Sequence, residues 1–503
     1  MKEYVIGIDI GTSGTKTVLW NVHGQAVSSA VVEYPMAQPQ NGWVEQDPAD
    51  WHRAVLETIR QVMRDSGVDP HAVDGIGLSG QMHGLVMLDE RDRVLRPAIL
   101  WCDQRTGAEC AEIEREIGRE RCVAITANPV LTGFTAGKIR WVQKHEPEVF
   151  KRCRRILLPK DYVRLLLTGE YATEVSDASG MQLLDVPKRV WSDVMCDALS
   201  IRTDMLGRVY ESPDVTGSLT PSAAAACGLT AGIPVVGGAG DNAAAAIGMG
   251  VVTEGAAFTT IGTSGVVFAH TDRPVIDPAG RVHTFCCAVP GAWHVMGVTQ
   301  GAGLSLRWFR DTLCSAADYN GEEPYTWMTA QAEKSPVLAN RLFYLPYLMG
   351  ERTPHLDPDA RGVFFGLSGI HQKSDMIRSV LEGVAFSLTD CLTVLSEMNV
   401  GIDTMRICGG GGKSALWRQI VADCYRMPVC RMENEEGPAL GVGILAMVGG
   451  GLYTDIVTAC REIVRERDRT DVSENAARYA VGYGLYRQLY PALRSTFAAL
   501  AAL

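Results

Sequence analysis

Three short stretches of this chain hold the residue types that handle phosphate groups and protons. The first reads Ile6-Gly7-Ile8-Asp9-Ile10-Gly11-Thr12-Ser13-Gly14-Thr15-Lys16-Thr17. Apolar, β-favouring runs on either side of a Gly-Thr-Ser-Gly tip predict a hairpin. Thr12, Ser13 and Lys16 supply hydroxyls and a cation, and consecutive backbone N–H groups at such a tip form a nest for an anion. Asp9 ends the first strand, where a carboxylate suits a metal-bound phosphate. A plain turn would read the same way. In the second stretch an apolar strand runs through Gly237-Gly238-Ala239-Gly240 into Asp241-Asn242 and an alanine-rich helix start. Asp241 there is either a helix N-cap or a general base in a glycine-lined cleft. The third stretch, Gly80-Gln81-Met82-His83-Gly84, is either a tight turn or a pocket in which amide groups and an imidazole read sugar hydroxyls. Asp103 and Arg105, just beyond the strand at 98–101, are a surface ion pair or a second wall of that pocket.

The first stretch has a twin. Phe258-Thr259-Thr260-Ile261-Gly262-Thr263-Ser264-Gly265-Val266 repeats Gly-Thr-Ser-Gly at an offset of 251 residues, half of a 503-residue chain. Short-period repeats make solenoids. A half-length repeat predicts two like domains, each bringing one phosphate hairpin to a shared cleft.

The intervening elements alternate strand and helix, which predicts an α/β fold. Asp47-Pro48 fits an N-cap and first turn, with Trp51, Val55, Ile59 and Met63 following at helical spacing. Residues 131–145 open another helix, with Lys138 expected in solvent. Residues 375–390 are strongly periodic. Leu485, Leu489, Leu493 and Phe497 predict a closing helix interrupted at Pro491. Gly301, Gly303 and Arg307 lie on a helix whose small residues face a ligand or another backbone. Gly409-Gly410-Gly411-Gly412-Lys413-Ser414 follows a strand but is no P-loop, since position 407 is isoleucine rather than glycine. A loop lying against adenine or the α-phosphate fits it better.

Composition excludes several classes. Apolar residues make up 47% and charged residues 21%, as in a soluble globular protein. A net charge of −11 disfavours nucleic acid and anionic membranes as partners. The 14 cysteines include no Cys-x-x-Cys pair and read as reduced thiols in the cytoplasm. The start shows no secretory leader, and the apolar run at 439–447 is too short for a membrane span.

Residues 133–142, GFTAGKIRWV, together with 362–367, GVFFGL, and 375–382, DMIRSVLE, resemble the two signature segments of the FGGY carbohydrate kinases. The resemblance covers nearly the whole chain and is nearest to the branch acting on D-xylulose. It implies two actin-like, ribonuclease-H-like domains around an ATP cleft, here 1–249 with the sugar site and 250–503 with the nucleotide site. It implies Asp241 as catalytic base, and Asp9 beside Mg²⁺ with Asp241 as a further ligand. Thr12, Ser13, Lys16, Gly262, Thr263, Gly303, Arg307, Gly410, Gly411 and Ser414 match nucleotide contacts, although Arg307 and Ser414 depart from the residue types of glycerol kinases. Met82, His83, Asp103, Asp241 and Asn242 match the sugar side, with the loop 351–355 in its xylulose-type form. The implied partners are a sugar and ATP, with a homodimer left open. A sibling kinase for another ketose or polyol, and an actin-like ATPase with no sugar substrate, stay as alternatives.

Overall fold

Residue types set the strands first, and the strands set everything else. In the computed structural model, which describes residues 3–503, the apolar runs of the first half form β1 (Tyr4–Ile10), β2 (Gly14–Asn21), β3 (Ala26–Glu33), β4 (Val73–Gly80), β5 (Val215–Ser218), β6 (Pro234–Val236) and β7 (Ala239–Gly240). Met1 and Lys2, the start of the segment read for a leader, lie outside the described residues. The strands make one sheet ordered β5-β6-β4-β1-β2-β3, with β7 continuing beside β4. β1, β2 and β3 are an antiparallel meander, while β4 runs parallel to β1 and β6 parallel to β4.

The second half repeats the plan. Its strands are β8 (Gly255–Ile261), β9 (Gly265–Thr271), β10 (His283–Cys286), β11 (Trp293–Thr299), β12 (Ile402–Cys408), β13 (Val429–Met432) and β14 (Glu466–Thr470). They are ordered β10-β11-β9-β8-β12-β13-β14, with β8, β9 and β11 antiparallel and β12 and β13 parallel to β8. The two halves differ at both edges: β5 precedes its partner β6 in the chain whereas β14 follows β13, and β10 adds an edge strand beyond β11 where the first sheet ends at β3. The like topology expected from the half-length repeat is therefore present.

The halves are not independent in packing. The apolar helix Gly437–Gly449, from the second half of the chain, lies on the first sheet. Small residues admit it. A Cβ at Gly7 or Gly77 would overlap the helix carbonyls of Ala439 and Val442, and Trp20 Nε1 donates to the Ala439 carbonyl at 3.1 Å. The helix Asp241–Gly248 approaches its other side just as closely, since a Cβ at Gly441 would overlap the Ala244 carbonyl.

Three helices refine the sequence reading. Asp47 does cap Pro48–Ser66, accepting from Ala49 N at 3.0 Å. Lys373–Glu397 is long and apolar enough to span a bilayer, but 83% of its most apolar window is buried as the core helix of the second domain. The closing helix runs unbroken over Ala476–Ala501 through Pro491. Its buried face is Tyr479, Gly482, Tyr486, Leu489, Tyr490 and Phe497, while Leu485 is exposed. Packing on that face holds the helix together across the single N–H that proline lacks.

Close helix–sheet approach generates a stability prediction. Gly77→Ala is expected to destabilise by roughly 1–3 kcal/mol through overpacking against the Val442 carbonyl. Gly67→Ala, at a helix C-cap with φ +66° and open space around it, is the control and costs only its backbone strain. Thermal melts of both variants check this, and equal Tm losses would contradict the packing account.

Candidate active site

The first hairpin forms as predicted and is held at its tip by side chains from elsewhere. Gly11 N donates to Gly14 O at 3.0 Å, Tyr34 Oη donates to the Gly11 carbonyl at 2.6 Å, and Gln46 Nε2 to the Thr12 carbonyl at 2.6 Å. Thr12 Oγ1 accepts from Trp101 Nε1 at 3.0 Å and donates to Gln81 Oε1 at 3.3 Å. Ser13 lies exposed at the tip. Asp9 sits opposite Ser79 of β4 and accepts from its hydroxyl at 2.9 Å. Lys16, opposite Asp9 on β2, is ion-paired with Glu436, which immediately precedes the helix Gly437–Gly449. The cation meant for phosphate thus has a carboxylate partner 420 residues away in sequence, which no local pattern announces.

Asp241 enters the same space from β7. The register sets Ala239 beside Ser79 and Gly240 beside Gly80, so Asp241 emerges next to the strand that faces Asp9. It is the first residue of its helix, and Gly240 occupies the cap position. Its Oδ1 accepts from Asn242 N at 2.7 Å and Asn242 Nδ2 at 3.0 Å, so the N-cap alternative is not the geometry found. Burial, and after it the Asp9 carboxylate, pushes Asp241 up to about 7. Burial raises Asp9 as well, against the Ser79 hydrogen bond and Lys16. A carboxylate whose charge is disfavoured by a second one nearby suits a site that would take up a hard divalent cation. No group of three or more His, Cys, Asp or Glu side chains suited to a metal occurs among the described residues. A cation here would therefore complete its shell with phosphate oxygens and water, which is how Mg²⁺ is usually held.

The second hairpin is one residue tighter than the first although both tips read Gly-Thr-Ser-Gly. Ile261 pairs with Gly265, whereas Ile10 pairs with Thr15. Its tip is fixed by the helix Gly303–Leu313: Gly303 N donates to Gly262 O at 2.7 Å and Leu304 N to Thr263 O at 3.1 Å. A Cβ at Gly303 would overlap the Gly262 carbonyl, so this position requires glycine. These elements wall a cavity of about 840 Å³. Gly262, Thr263, Gly303, Arg307, Gly410, Gly411 and Ser414, all expected to meet nucleotide, line it together. The glycine run forms one short turn, after which Ser414 caps the helix Ala415–Tyr425 through Trp417 N at 3.2 Å. Tyr325 and Glu333 also line the cavity, from a helix that carried no recognisable signal. Thr12, Ser13 and Lys16 stand on the opposite hairpin, outside its walls.

On the sugar side Met82 is buried against Gly240, and His83 holds a left-handed backbone at φ +67°. A bulky residue keeps such a φ where the surroundings impose it, most often at a functional site. Lys138 imposes it here. Rather than being solvated, Lys138 is fully buried and donates to the carbonyls of His83 and Gly133, each at 2.8 Å. Burial pushes its ammonium down to about 7, against the opposing pull of the Asp103 carboxylate. The His83 ring stacks on Phe134 at 4.3 Å between centroids, and Nδ1 lies 2.9 Å from the Gly180 carbonyl. That carbonyl fixes Nδ1 as the donor and leaves Nε2 as an acceptor. Burial first, then Lys138, drives the ring down to about 3, so it is neutral at any working pH. From the other half of the chain Arg352 adds a guanidinium, 3.3 Å from His283 Nε2, while Glu351 beneath it accepts from Thr299, Gln300, Arg352 and Ser387.

Asp103 does not join this group. Its carboxylate is fully buried, accepts from Val44 N at 2.6 Å and is gripped by the Arg105 guanidinium at 2.7–3.0 Å. Its oxygens are spent on these structural contacts, so Asp103 forms an ion pair with Arg105, but a buried one rather than the surface pair expected, and it does not open on the sugar side.

With this geometry in place, comparison with known proteins agrees. The sequence profile of the FGGY family of carbohydrate kinases, N-terminal domain, matches residues 4–248, and that of the C-terminal domain matches 257–450. The chain is 40% identical to the xylulose kinase of Escherichia coli strain K12 over 97% of this chain and 99% of that protein. It is 39% identical to the xylulose kinase of Bacillus subtilis strain 168 over 97% of each. The crystal structure of a ligand-bound xylulose kinase from Lactobacillus acidophilus matches with a TM-score of 0.93 at 27% identity, covering 99% of both chains.

Asp241 also carries a stability prediction whose sign can be worked out. Its carboxyl titrates near 7 when folded and at the ordinary 3.8 when unfolded. Between those values the folded state holds the proton and the unfolded state does not, so stability falls as pH rises through that window and the whole penalty is in force above about 7. Asp241→Asn should therefore melt higher than the unaltered protein at pH 8, the gap closing toward pH 4. An N-cap would behave oppositely, with Asn close to neutral and Ala losing ~1 kcal/mol.

Proposed function

The chain belongs to the FGGY family of carbohydrate kinases, and on that premise we propose that it transfers the γ-phosphoryl group of ATP to the C5 hydroxyl of D-xylulose. The observation that carries this reading is the placement of Asp241. It stands between Met82-His83 on one side and the hairpin holding Asp9 on the other, across from the nucleotide cavity of the second domain. Full-length likeness to xylulose kinases supplies the sugar.

ATP lies in the second-domain cavity, its phosphates reaching the tips at Gly262-Thr263 and Thr12-Ser13. Asp9 would hold the divalent metal, Mg²⁺ in this reading, which when bound would supply charge neutralisation at the phosphate oxygens. Asp241 accepts the hydroxyl proton as the sugar oxygen attacks in line, and a carboxyl near 7 is matched to that task at neutral pH. His83 Nε2 accepts from one sugar hydroxyl in a fixed direction, since Lys138 and Gly180 lock the residue from behind. Beyond positioning and charge neutralisation phosphoryl transfer asks little of the protein. We assign the sugar-binding domain to residues 1–249 and the nucleotide domain to 250–503, with the helix Gly437–Gly449 lent by the second to the first. All 14 cysteines are free thiols, which suits the reducing cytoplasm in which we place the enzyme.

A site built to pair a hydroxyl leaves its own groups unpaired when that hydroxyl is missing or inverted, and discrimination can reach ~10⁴. D-Xylulose is expected to exceed D-ribulose and glycerol in kcat/KM, with an acid limb below about pH 7 set by Asp241. His83→Ala should weaken sugar use while leaving the KM for ATP in place. Steady-state kinetics over a panel of ketoses and polyols test this, and equal kcat/KM for D-xylulose and D-ribulose would remove the sugar assignment.

A further inference from the structure

Behind the loop that delivers Asp241 lies a set of charges the reaction does not use. Lys160, Asp161, Arg164, Glu174 and Asp177 are each no more than 1% exposed. Lys160 Nζ lies 2.9 Å from Asp161, 3.1 Å from Asp177 and 3.3 Å from Glu174, and Arg164 Nη2 lies 2.8 Å from Asp161. A fold gains little stability from such a cluster, since well-packed apolar residues of the same volume often do as well or better. What buried, paired charges can supply is direction.

The cluster reaches the loop Gly237-Gly238-Ala239-Gly240 at both ends. Arg164 Nη1 donates to the Gly237 carbonyl at 2.8 Å. At the other end Glu174 accepts from Ser176 N at 2.8 Å, Ser176 Oγ at 2.9 Å, Asp177 N at 2.9 Å and Ser212 Oγ at 2.8 Å. A serine hydroxyl has a single proton, and here Glu174 takes it. The lone pairs of Ser176 Oγ are thereby aimed at the Gly240 N–H, which donates to it at 3.1 Å. The Ser212 carbonyl accepts from Gly238 N at 3.0 Å. Lys160 packs against Gly80, the residue paired with Gly240, so closely that a Cβ at 80 would lie 2.9 Å from its own Cβ. Both strand ends that flank the acid therefore rest on one cluster.

We propose that Ser176 and Glu174 are positioning residues for Asp241: Glu174 orients the Ser176 hydroxyl, which fixes the Gly240 amide and with it the direction of the next residue's carboxylate. Neither touches sugar or nucleotide. The proposal rests on Asp241 being the base, and it deepens that reading by assigning the groups that hold the base in line. Misplacement by about an ångström can cost ~10²-fold in rate.

The test uses the full-length enzyme and two variants, Ser176→Ala and Ser176→Thr. Ser176→Ala should lower kcat by ~10–100-fold with the KM for ATP unchanged, because the nucleotide cavity lies in the other domain. Ser176→Thr keeps a hydroxyl and should restore most of the rate. Hydrogen exchange over residues 237–242, measured without substrates, should be faster in Ser176→Ala and return toward the unaltered rate in Ser176→Thr. Unchanged exchange over that loop in Ser176→Ala overturns the proposal, as does an unchanged kcat in a variant that melts normally. Should the unaltered protein phosphorylate no sugar, the kinase reading falls, while the exchange data still decide whether Ser176 holds the loop.

Discussion

The register of one strand governs this molecule. β4 pairs with β1 on one side and with β6 and β7 on the other, and its successive residues serve different neighbours. Gly77 admits the helix Gly437–Gly449, Ser79 bonds Asp9 and opposes Ala239, and Gly80 opposes Gly240 while packing on Lys160. Immediately afterwards Gln81 meets Thr12, Met82 packs on Gly240 and His83 turns toward the sugar side. Side chains alternate faces along a strand, so a slip of one residue would exchange every one of these contacts at once. The acid pair, the first phosphate hairpin and the sugar turn therefore come as a single unit.

That unit is held in an unfavourable electrostatic state. Asp9 and Asp241 face each other with their titrations raised by burial, and Asp241 further by Asp9. Lys138 is buried against two carbonyls with its ammonium pushed down, and His83 holds a left-handed backbone. Each of these costs stability, and the two acids and His83 face the space where a cation, phosphates and a sugar would relieve them. The stability that offsets them lies in neighbouring packing, in the close helix–helix contact of Gly441 with Ala244 and the apolar cluster around Trp20 and Val442.

What the sequence made legible was local. The two hairpins depend on β-favouring runs and a glycine tip, the cap of Pro48–Ser66 on Asp47, and the nucleotide loops on glycines that admit a close backbone. The features that escaped are those settled across long separations. Lys138 reads as a solvent-facing helix cation until the His83 carbonyl, 55 residues earlier, accepts its hydrogen bond. Asp103 reads as a pocket acid until Val44 and Arg105 exhaust it. Pro491 reads as a break because propensity counts one lost hydrogen bond, whereas the core counts Tyr486, Leu489 and Tyr490 on the face around it. Lys16 reads as a free phosphate ligand because Glu436 lies in the other half of the chain.

The repeat itself explains why one cleft holds a single catalytic set. Aligning the two tips places Asp9 over Thr260 and Lys16 over Val267. The topologies agree, yet the second hairpin pairs one residue more tightly and carries no charge at either position. An acid at both tips would set two fixed carboxylates against the same triphosphate, each repelling it and each raising the other's titration. A neutral hairpin instead offers only N–H groups and hydroxyls, which bind phosphate without competing for the metal. The two domains thus share a fold and divide the chemistry. In the proposed reading the first supplies the charged groups, Asp9 and Asp241, that would hold a cation and move a proton. The second would supply a cavity walled by glycines at the hairpin tip and the 409–412 turn, where the proposed reading seats the nucleotide. The helix Gly437–Gly449 joins the two: by lending its apolar face to the first sheet, it brings Glu436 to Lys16 and ties the second half of the chain to the first hairpin.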